Sequence, residues 1–347
     1  MEIADLLAFA MEQQASDLHV SADLPPLLRI HGDIRPIAVA PLAHADVRAM
    51  LYAVMSDPQR RQYADTQDCD FAFALPELGR FRVNAFVHSR GAGAVFRLIP
   101  TQLPSLTELG APPVLAELAR RPRGLILVTG PTGSGKSTTL AAMLQQINHE
   151  RHAHILTIED PIEFIHPSGR SLIHQREVHT HTQGFSQALR SALREDPDVI
   201  LVGEMRDVDT MRLALTAAET GHLVLASLHT QSAVQTVDRV VDSFPAAERA
   251  MVRSVLAESL QAVVAQTLLK TASGHGRVAA FEVMLASPAI RHQIRDDKVA
   301  QMYSTLQTSQ ALGMQTLDQA LQQLVQRQQI SPASARQHAL DKTLFPG

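Results

Sequence analysis

Short apolar runs alternate with amphipathic stretches in the second half of this chain. The runs LILVT, HILTI, VILVG and LVLASLH each have the length of one buried strand, and the segments between them repeat apolar residues at helical spacing. Because strands that alternate with helices pair in parallel and are covered on both faces, this half predicts an α/β domain with a parallel sheet. From about Pro245 onward we expect mostly helices, interrupted by a strand at residues 277–285.

The first hundred residues show a different pattern. LLRIHGDIRPI predicts a hairpin around residues 31–33, and DFAFAL, RFRVNAFV and GAVFRLI predict strands joined by short turns. The apolar residues Ile3, Leu6, Leu7 and Ala10 fall on one face of an N-terminal helix. This part therefore predicts a small α+β domain.

Four prolines between residues 100 and 113 mark the change of pattern. A proline-rich segment between two periodic regions is typical of a linker. We therefore expect an N-terminal α+β domain at residues 1–100, a linker at 101–113, and an α/β domain with a helical C-terminal region at 114–347.

Composition narrows the class of protein. A chain of 347 residues is long enough for two domains with separate cores, and its net charge of −4 argues against direct binding of nucleic acid. The single cysteine, Cys69, excludes an intrachain disulfide and favours a reducing compartment. Acidic residues in the N-terminal segment argue against a signal peptide, and no charge-free apolar run reaches the about 18 residues of a transmembrane segment. We therefore expect a cytoplasmic protein.

The segment GPTGSGKST at residues 130–138 matches the pattern G-x-x-x-x-G-K-[ST] between a predicted strand and a predicted helix. Its glycines let backbone N–H groups surround phosphate oxygens, Lys136 adds positive charge, and Ser137 can bind Mg²⁺. The sequence thus predicts a site for ATP and Mg²⁺. The predicted phosphate loop consists of Gly130, Pro131, Thr132, Gly133, Ser134, Gly135, Lys136, Ser137 and Thr138.

Three further clusters follow predicted strands, at the sheet edge where ligands of α/β proteins bind. TIEDPIEF offers Glu159 and Glu163, and a carboxylate there can orient and deprotonate water. VILVGEMRD places Glu204 where P-loop enzymes hold Mg²⁺ through water. GHLVLASLHT has His222 and His229 at the two ends of one strand, and a histidine at the carboxyl end can contact the γ-phosphate.

In this order and spacing, GPTGSGKST, TIEDPIEF, ALREDPDVILVGEMRD and TAAETGHLVLASLHT resemble the Walker A, Asp, Walker B and His boxes of the secretion ATPases of type IV pili and type II secretion. Within that family the chain looks like the PilT-type pilus retraction ATPases over nearly its whole length. The resemblance implies a PAS-like N-terminal domain, a RecA-like P-loop ATPase domain and a homohexamer that binds ATP between neighbouring subunits.

The resemblance also implies residue roles. It selects Glu163 over Glu159 as the catalytic carboxylate, and it places arginines of the small domain near the phosphates. The implied catalytic set is Glu163, Glu204, His229 and Arg82. The other implied nucleotide contacts are Glu159, His222, Arg80 and Arg97, and the implied Mg²⁺ residues are Ser137 and, through water, Glu204.

In function, the resemblance implies a motor that hydrolyses ATP to retract the pilus in twitching motility. Its implied partners are the inner-membrane platform protein of the pilus machine and other pilus ATPases, so that the protein associates peripherally with the inner membrane. AIRHQIRD at residues 289–296 predicts an amphipathic helix with Arg291 and Arg295 on one polar face, and it departs from the AIRNLIRE signature of retraction motors. An accessory retraction ATPase of the same family therefore stays open, as do a RecA-like nucleic-acid translocase and a nucleotide-binding scaffold without hydrolysis.

Overall fold

Buried and exposed residues alternate along the strands of the N-terminal part of the chain, so that one face of its sheet packs on a core. The computed structural model describes residues 2–30, 32–76, 78–99, 103–274 and 276–345, and it divides the chain into two units, Met1–Gln102 and Leu103–Gly347. His31 of the predicted hairpin and residues 101 and 102 of the predicted linker lie outside the described residues. The described residues 103–113 belong to the second unit, where Leu106 is buried in the core.

The first unit is a six-stranded antiparallel sheet with helices on one face. On its fifth strand Phe81, Val83 and Ala85 are fully buried, whereas the residues between them are partly exposed. The apolar face predicted for the first helix is buried in the same core. In chain order the elements are α1 (Ile3–Glu12), β1 (Asp17–Ser21), β2 (Leu27–Ile30), β3 (Asp33–Pro36), α2 (His44–Val54), α3 (Asp57–Thr66), β4 (Asp68–Leu75), β5 (Gly79–His88) and β6 (Gly91–Ile99), and the sheet order is β3-β2-β1-β6-β5-β4.

The second unit is a seven-stranded sheet covered by helices on both faces. Its elements are α4 (Val114–Ala119), β7 (Gly124–Thr129), α5 (Lys136–Glu150), β8 (His154–Glu159), β9 (Leu172–Glu177), α6 (Phe185–Ala192), β10 (Val199–Val202), α7 (Val208–Glu219), β11 (Leu223–Leu228), α8 (Ala233–Asp242), α9 (Arg249–Ser259), β12 (Leu260–Lys270), β13 (Arg277–Leu285), α10 (Pro288–Arg295), α11 (Val299–Thr308), α12 (Leu317–Gln326) and α13 (Pro332–His338). The sheet order is β13-β12-β7-β11-β10-β8-β9. The strands pair in parallel as predicted, except that β13 pairs antiparallel with β12.

The central strand β7 shows why two helical layers are needed. Leu125 and Leu127 face one core, together with α7 to α9, whereas Ile126 and Val128 face the other core, together with α4 and α5. All four are almost completely buried, as expected for a strand covered on both faces. None of the helices in the described part of the chain has the length and apolar character that crossing a bilayer requires.

The expectation of mostly helix after Pro245 is wrong for Leu260–Lys270, which forms the strand β12. Residues 262–265 of this strand are consecutive and nearly all fully buried, because α8 and neighbouring elements cover both of its faces. A strand buried on both faces lacks apolar and polar alternation, so its pattern resembles that of a buried helix. The strand predicted at residues 277–285 is confirmed as β13.

The amphipathic helix predicted at residues 289–296 is confirmed as α10, but its two arginines differ. Ile290 and Ile294 face the core, and the buried Gln293 donates a hydrogen bond to Thr305 on α11 over 2.8 Å. Arg291 is half-buried and donates from Nη1 to the carbonyl oxygens of Ala257 and Glu258, which end α9. Arg295 is exposed and forms an ion pair with the exposed carboxylate of Glu258 over 3.2 Å.

We expect Arg291→Ala to lower the free energy of unfolding of the second unit by about 1–3 kcal/mol, because it leaves carbonyl groups at the end of α9 without their charged donor. The matched variant Arg295→Ala should change it by less than about 1 kcal/mol, since exposed ion pairs contribute little. Urea unfolding of both variants measures the difference. Equal effects of the two substitutions would contradict a special role for Arg291.

Candidate nucleotide-binding site

The predicted phosphate loop connects the end of β7 to the start of α5. Gly130, Gly133 and Gly135 have φ values of 143°, 77° and 89°, a region that residues with a Cβ atom rarely adopt. A Cβ at position 130 would also lie 2.3 Å from the carbonyl oxygen of Gln266. The loop therefore requires glycine for its backbone conformation and for its close packing on β12.

The loop presents its tip and the first turn of α5 to the solvent. Pro131, Thr132, Gly133 and Ser137 are exposed, and Thr138 is half-exposed. Ser134, by contrast, is buried at 2% exposure. A ligand can thus approach the backbone N–H groups of the tip and the Ser137 hydroxyl from outside.

Lys136 is buried beneath this tip, at 8% exposure. Its Nζ donates hydrogen bonds to the carbonyl oxygens of Gly130 and Pro131 over 2.9 and 3.0 Å, and it lies 3.5 Å from Nδ1 of His229. Burial lowers the pKa of Lys136, although the carboxylates of Glu204 and Glu163 act in the opposite direction. A phosphate group in the loop would stabilise the charged lysine, because an adjacent anion offsets the cost of burial.

Glu204 follows β10 and contacts His229, which in turn lies beside Lys136 of the phosphate loop. Its carboxylate accepts a hydrogen bond from Arg206 over 2.8 Å and lies 3.1 Å from Nε2 of His229. Burial acts to raise the pKa of Glu204, but the hydrogen bonds and charges of Arg206 and His229 outweigh it and lower this pKa. Glu204 is therefore ionised at neutral pH, which suits a residue near a divalent cation. Arg206, which also lies 3.9 Å from Asp160, was not among the residues predicted from sequence.

The two candidate carboxylates of the Asp box have different surroundings. Glu159 ends β8, and its carboxylate accepts hydrogen bonds from Thr157 Oγ1 over 2.6 Å and from Gln175 Nε2 over 3.2 Å. Burial raises the pKa of Glu159. Glu163 lies in the following loop, half-buried, and its charge acts on Lys136. The Glu159 carboxylate is thus engaged by Thr157 and Gln175, whereas the charge of Glu163 acts on Lys136.

The two histidines of the His box lie at opposite ends of β11. Leu228 pairs with Thr129, so His229 lies beside the phosphate loop, where it contacts Lys136 and Glu204. His222 precedes the start of the strand, and its Nδ1 lies 2.9 Å from the carbonyl oxygen of Ala217. The intervening strand spans about 20 Å, so His222 does not reach the phosphate loop of its own chain.

The three candidate arginines lie on adjacent strands of the first unit. Arg80 and Arg82 are on β5, and Arg82 is directly opposite Arg97 on β6. Arg97 donates from Nε to the buried carboxylate of Asp17 over 2.9 Å. The structure thus places Arg82 and Arg97 side by side.

Gln266 on β12 is a site residue that the sequence pattern did not single out. It is 3% exposed, and its Oε1 accepts a hydrogen bond from Thr139 of α5 over 2.7 Å. Its Nε2 lies 2.8 Å from the point where a Cβ at position 135 would be, so it packs directly under the loop. A lone amide within VVAQTLL was the available signal, but it was missed together with the strand that contains it.

A comparison with known families identifies this arrangement. The family model described as "Type II/IV secretion system protein" matches residues 2–343. The chain belongs to this family. The resemblance to secretion ATPases and the expected fold class of an α+β domain followed by a RecA-like P-loop domain are thereby confirmed.

Individual relatives agree with the family assignment. The chain is 60% identical over 339 residues to the type IV pilus retraction ATPase PilT of Pseudomonas aeruginosa, covering 98% of each chain. It is 42% identical over 339 residues to the type IV pilus ATPase PilU of the same organism, covering 98% of this chain and 89% of the other. A crystal structure described as the pilus retraction motor PilT with bound ADP superposes with a TM-score of 0.90 at 43% identity, covering 99% of this chain and 98% of that one.

We expect His166, three residues after Glu163, to make the stability of this protein depend on pH. Burial lowers the pKa of His166 to about 4. Above pH 6.5 the histidine is neutral in both the folded and the unfolded state. Between pH 6.5 and 4 only the unfolded state binds the proton, so we expect stability to fall as the pH falls, by up to about 1.4 kcal/mol per pH unit.

Thermal or urea unfolding from pH 8 to 4 measures this effect. His166→Leu should remove this part of the slope, whereas His152→Gln, a substitution of an exposed histidine, should leave it unchanged. A slope that is the same in wild type and His166→Leu would show that His166 does not titrate in this way.

Proposed function

We propose that this protein is an ATPase motor that powers the retraction of type IV pili. The observation that supports it is the convergence of four segments at one sheet edge. The phosphate loop follows β7, Glu163 follows β8, Glu204 follows β10 and His229 follows β11, and these four strands are parallel neighbours. The identity of 60% to a relative named as a pilus retraction ATPase supports pilus retraction as the mechanical work that ATP hydrolysis at this site would drive.

The proposed chemistry is in-line attack of water on the γ-phosphate of ATP. Lys136, which now contacts two loop carbonyls, turns its charge toward phosphate oxygens. Glu163 orients the attacking water and accepts its proton. His229 lies between Lys136 and Glu204 and can therefore contact the γ-phosphate while remaining fixed by Glu204.

Ser137 and Glu204 are the residues that we expect to hold Mg²⁺. Ser137 is exposed in the first turn of α5, and the lowered pKa of Glu204, in which Arg206 and His229 outweigh burial, keeps its carboxylate ionised. Both supply oxygen ligands, which Mg²⁺ prefers. The ion neutralises phosphate charge when bound.

We propose further that the site is completed by a neighbouring subunit of a homohexamer. Arg80, Arg82 and Arg97 belong to the first unit, whereas the phosphate loop belongs to the second. In this arrangement the arginines of one subunit neutralise the transition state at the next. His222 is distant from the loop of its own chain, so a contact between His222 and nucleotide would also have to come from another subunit.

The remaining alternatives are less well supported. Identity to the named retraction ATPase is 60%, against 42% to PilU, which favours the principal motor over an accessory one. A net charge of −4 disfavours a nucleic-acid translocase. The carboxylates of Glu163 and Glu204 both act on the charge of Lys136, and Glu204 is ionised. These groups favour a protein that hydrolyses ATP over a scaffold that only binds it. We accordingly propose a cytoplasmic motor that works at the inner-membrane platform protein, alongside other pilus ATPases.

Glu163→Gln tests the chemistry and the biological output together. It keeps the shape of the side chain but removes its basicity, so we expect binding of Mg·ATP to persist while kcat falls about 10²-fold or more. Cells with this variant as their only copy should have excess pili that do not retract and should lose twitching. Steady-state ATPase assays, nucleotide titration and a twitching assay provide the measurements.

Glu159→Gln is the comparison within the same loop, because Glu159 is the other candidate base. If Glu159→Gln loses turnover and Glu163→Gln does not, the assignment of the base is wrong. If the wild-type protein hydrolyses ATP but its deletion leaves pilus number and twitching unchanged, the motor function is wrong.

Mixed assemblies test whether the arginines act across a subunit boundary. Lys136→Ala should abolish turnover, and Arg82→Ala should reduce it about 10³-fold or more if Arg82 acts as an arginine finger. When both variants are coexpressed in one assembly, some boundaries pair an intact Lys136 with an intact Arg82. We therefore expect turnover well above that of either variant alone.

The control is the double variant Lys136→Ala with Arg82→Ala mixed with Lys136→Ala, which contains no intact boundary. Activity that stays at the level of the single variants in the first mixture, or that is independent of protein concentration in a monomer, would contradict a shared site.

A further inference from the structure

Glu163 lies in the connection between β8 and β9 rather than on a helix or strand. We call residues 159–166, which contain it, the Glu163 loop. A carboxylate that orients water has to be held within a fraction of an ångström of its productive position. A loop achieves this only if its backbone is fixed by other groups. The position of the Glu163 carboxylate therefore depends on the contacts that the Glu163 loop makes.

Side chains hold the backbone of this loop on both sides of Glu163. The N–H of Ile162, next to Glu163, donates to the carboxylate of Glu177 over 3.0 Å. Beyond Glu163, the carbonyl oxygen of Phe164 accepts a hydrogen bond over 2.8 Å and the N–H of His166 donates one over 2.8 Å. Both of these last two contacts are made by one side chain, that of Gln175.

Gln175 also reaches the first residue of the loop. Its Nε2 donates to Glu159 over 3.2 Å as well as to the Phe164 carbonyl, while its Oε1 accepts from the His166 N–H. The residue is on β9, directly opposite Thr157 of β8, and the hydroxyl of Thr157 donates to the same Glu159 carboxylate over 2.6 Å. One amide therefore joins the start and the end of the loop that contains Glu163, and it orients the Glu159 carboxylate.

We propose that Gln175 is a positioning residue for hydrolysis, which fixes the Glu163 loop so that the Glu163 carboxylate is directed at the attacking water. This inference rests on the proposed function, in which Glu163 is the base. Gln175 does not contact nucleotide in this scheme. It acts through the backbone of the loop and through Glu159.

The chemistry of the amide explains why glutamine is needed at this position. The three contacts require two donated protons and one accepting oxygen from the same group, and a primary amide offers all of them. Methionine has a similar length but makes none of these bonds. A glutamate can still accept from His166, but when ionised it cannot donate and it repels Glu159.

The test compares Gln175→Met with wild type in steady-state and single-turnover ATPase assays. We expect kcat to fall about 10- to 100-fold, because a displacement of about 1 Å at a catalytic group has a cost of this size. KM for ATP should change less than about 2-fold, since the phosphate loop is untouched. His174→Ala, the adjacent exposed residue on β9, is the matched control and should keep the wild-type kcat.

A double variant separates positioning from general damage. If Gln175 acts through Glu163, adding Gln175→Met to Glu163→Gln should not lower the single-turnover rate further. A further loss equal to that seen in wild type would overturn the proposal, as would a wild-type kcat in Gln175→Met. Absence of ATP hydrolysis by the wild-type assembly would instead contradict the proposed function.

Gln175→Glu provides an independent readout if Gln175→Met does not fold. The introduced carboxyl regains a donor when it is protonated. Its activity relative to wild type should therefore rise as the pH is lowered from 8 to 6, which a purely structural defect would not cause. A ratio that is constant over this range would overturn the proposal.

Discussion

The parallel pairing of β7, β11, β10 and β8 is the constraint on which the site depends. Parallel strands end at the same edge, so the segments that follow them meet although they are far apart in sequence. Registers such as Leu228 with Thr129 and Val202 with Ile158 bring the phosphate loop, Glu204 and the Glu163 loop together. The same geometry separates His229 from His222, because one strand cannot place both of its ends at one edge.

Polar groups from outer strands then fix the loops at this edge. Gln266 on β12 packs under the phosphate loop and accepts from Thr139, and Gln175 on β9 joins the two ends of the Glu163 loop. Both are amides, which donate and accept without carrying charge into a site that has to bind phosphate. The central strands thus position the candidate catalytic groups. The flanking strands β12 and β9 supply the side chains that fix the loops that carry these groups.

This division explains how much could be predicted from sequence. The phosphate loop, the central strands and the clusters at their ends follow from local patterns, because each consists of a short apolar run and a polar turn. Strand β12 was missed because it is buried on both faces, and β9, with the sequence LIHQRE, lacks an apolar run because it lies at the sheet edge. Gln266 and Gln175 were missed with them. Their contacts are made across the sheet, and no local pattern specifies a pairing between distant segments.

In the first unit, too, the register of the strands determines which charged residues lie next to each other. Asp17 is opposite both Arg29 and Arg97, and Arg97 is opposite Arg82, so one row across the sheet contains three guanidinium groups and the Asp17 carboxylate. Like charges on directly opposite residues destabilise a sheet, and the buried carboxylate of Asp17, which pairs with Arg97 and Arg29, opposes this repulsion. Register rather than composition therefore determines where arginines lie together in a chain with a net charge of −4.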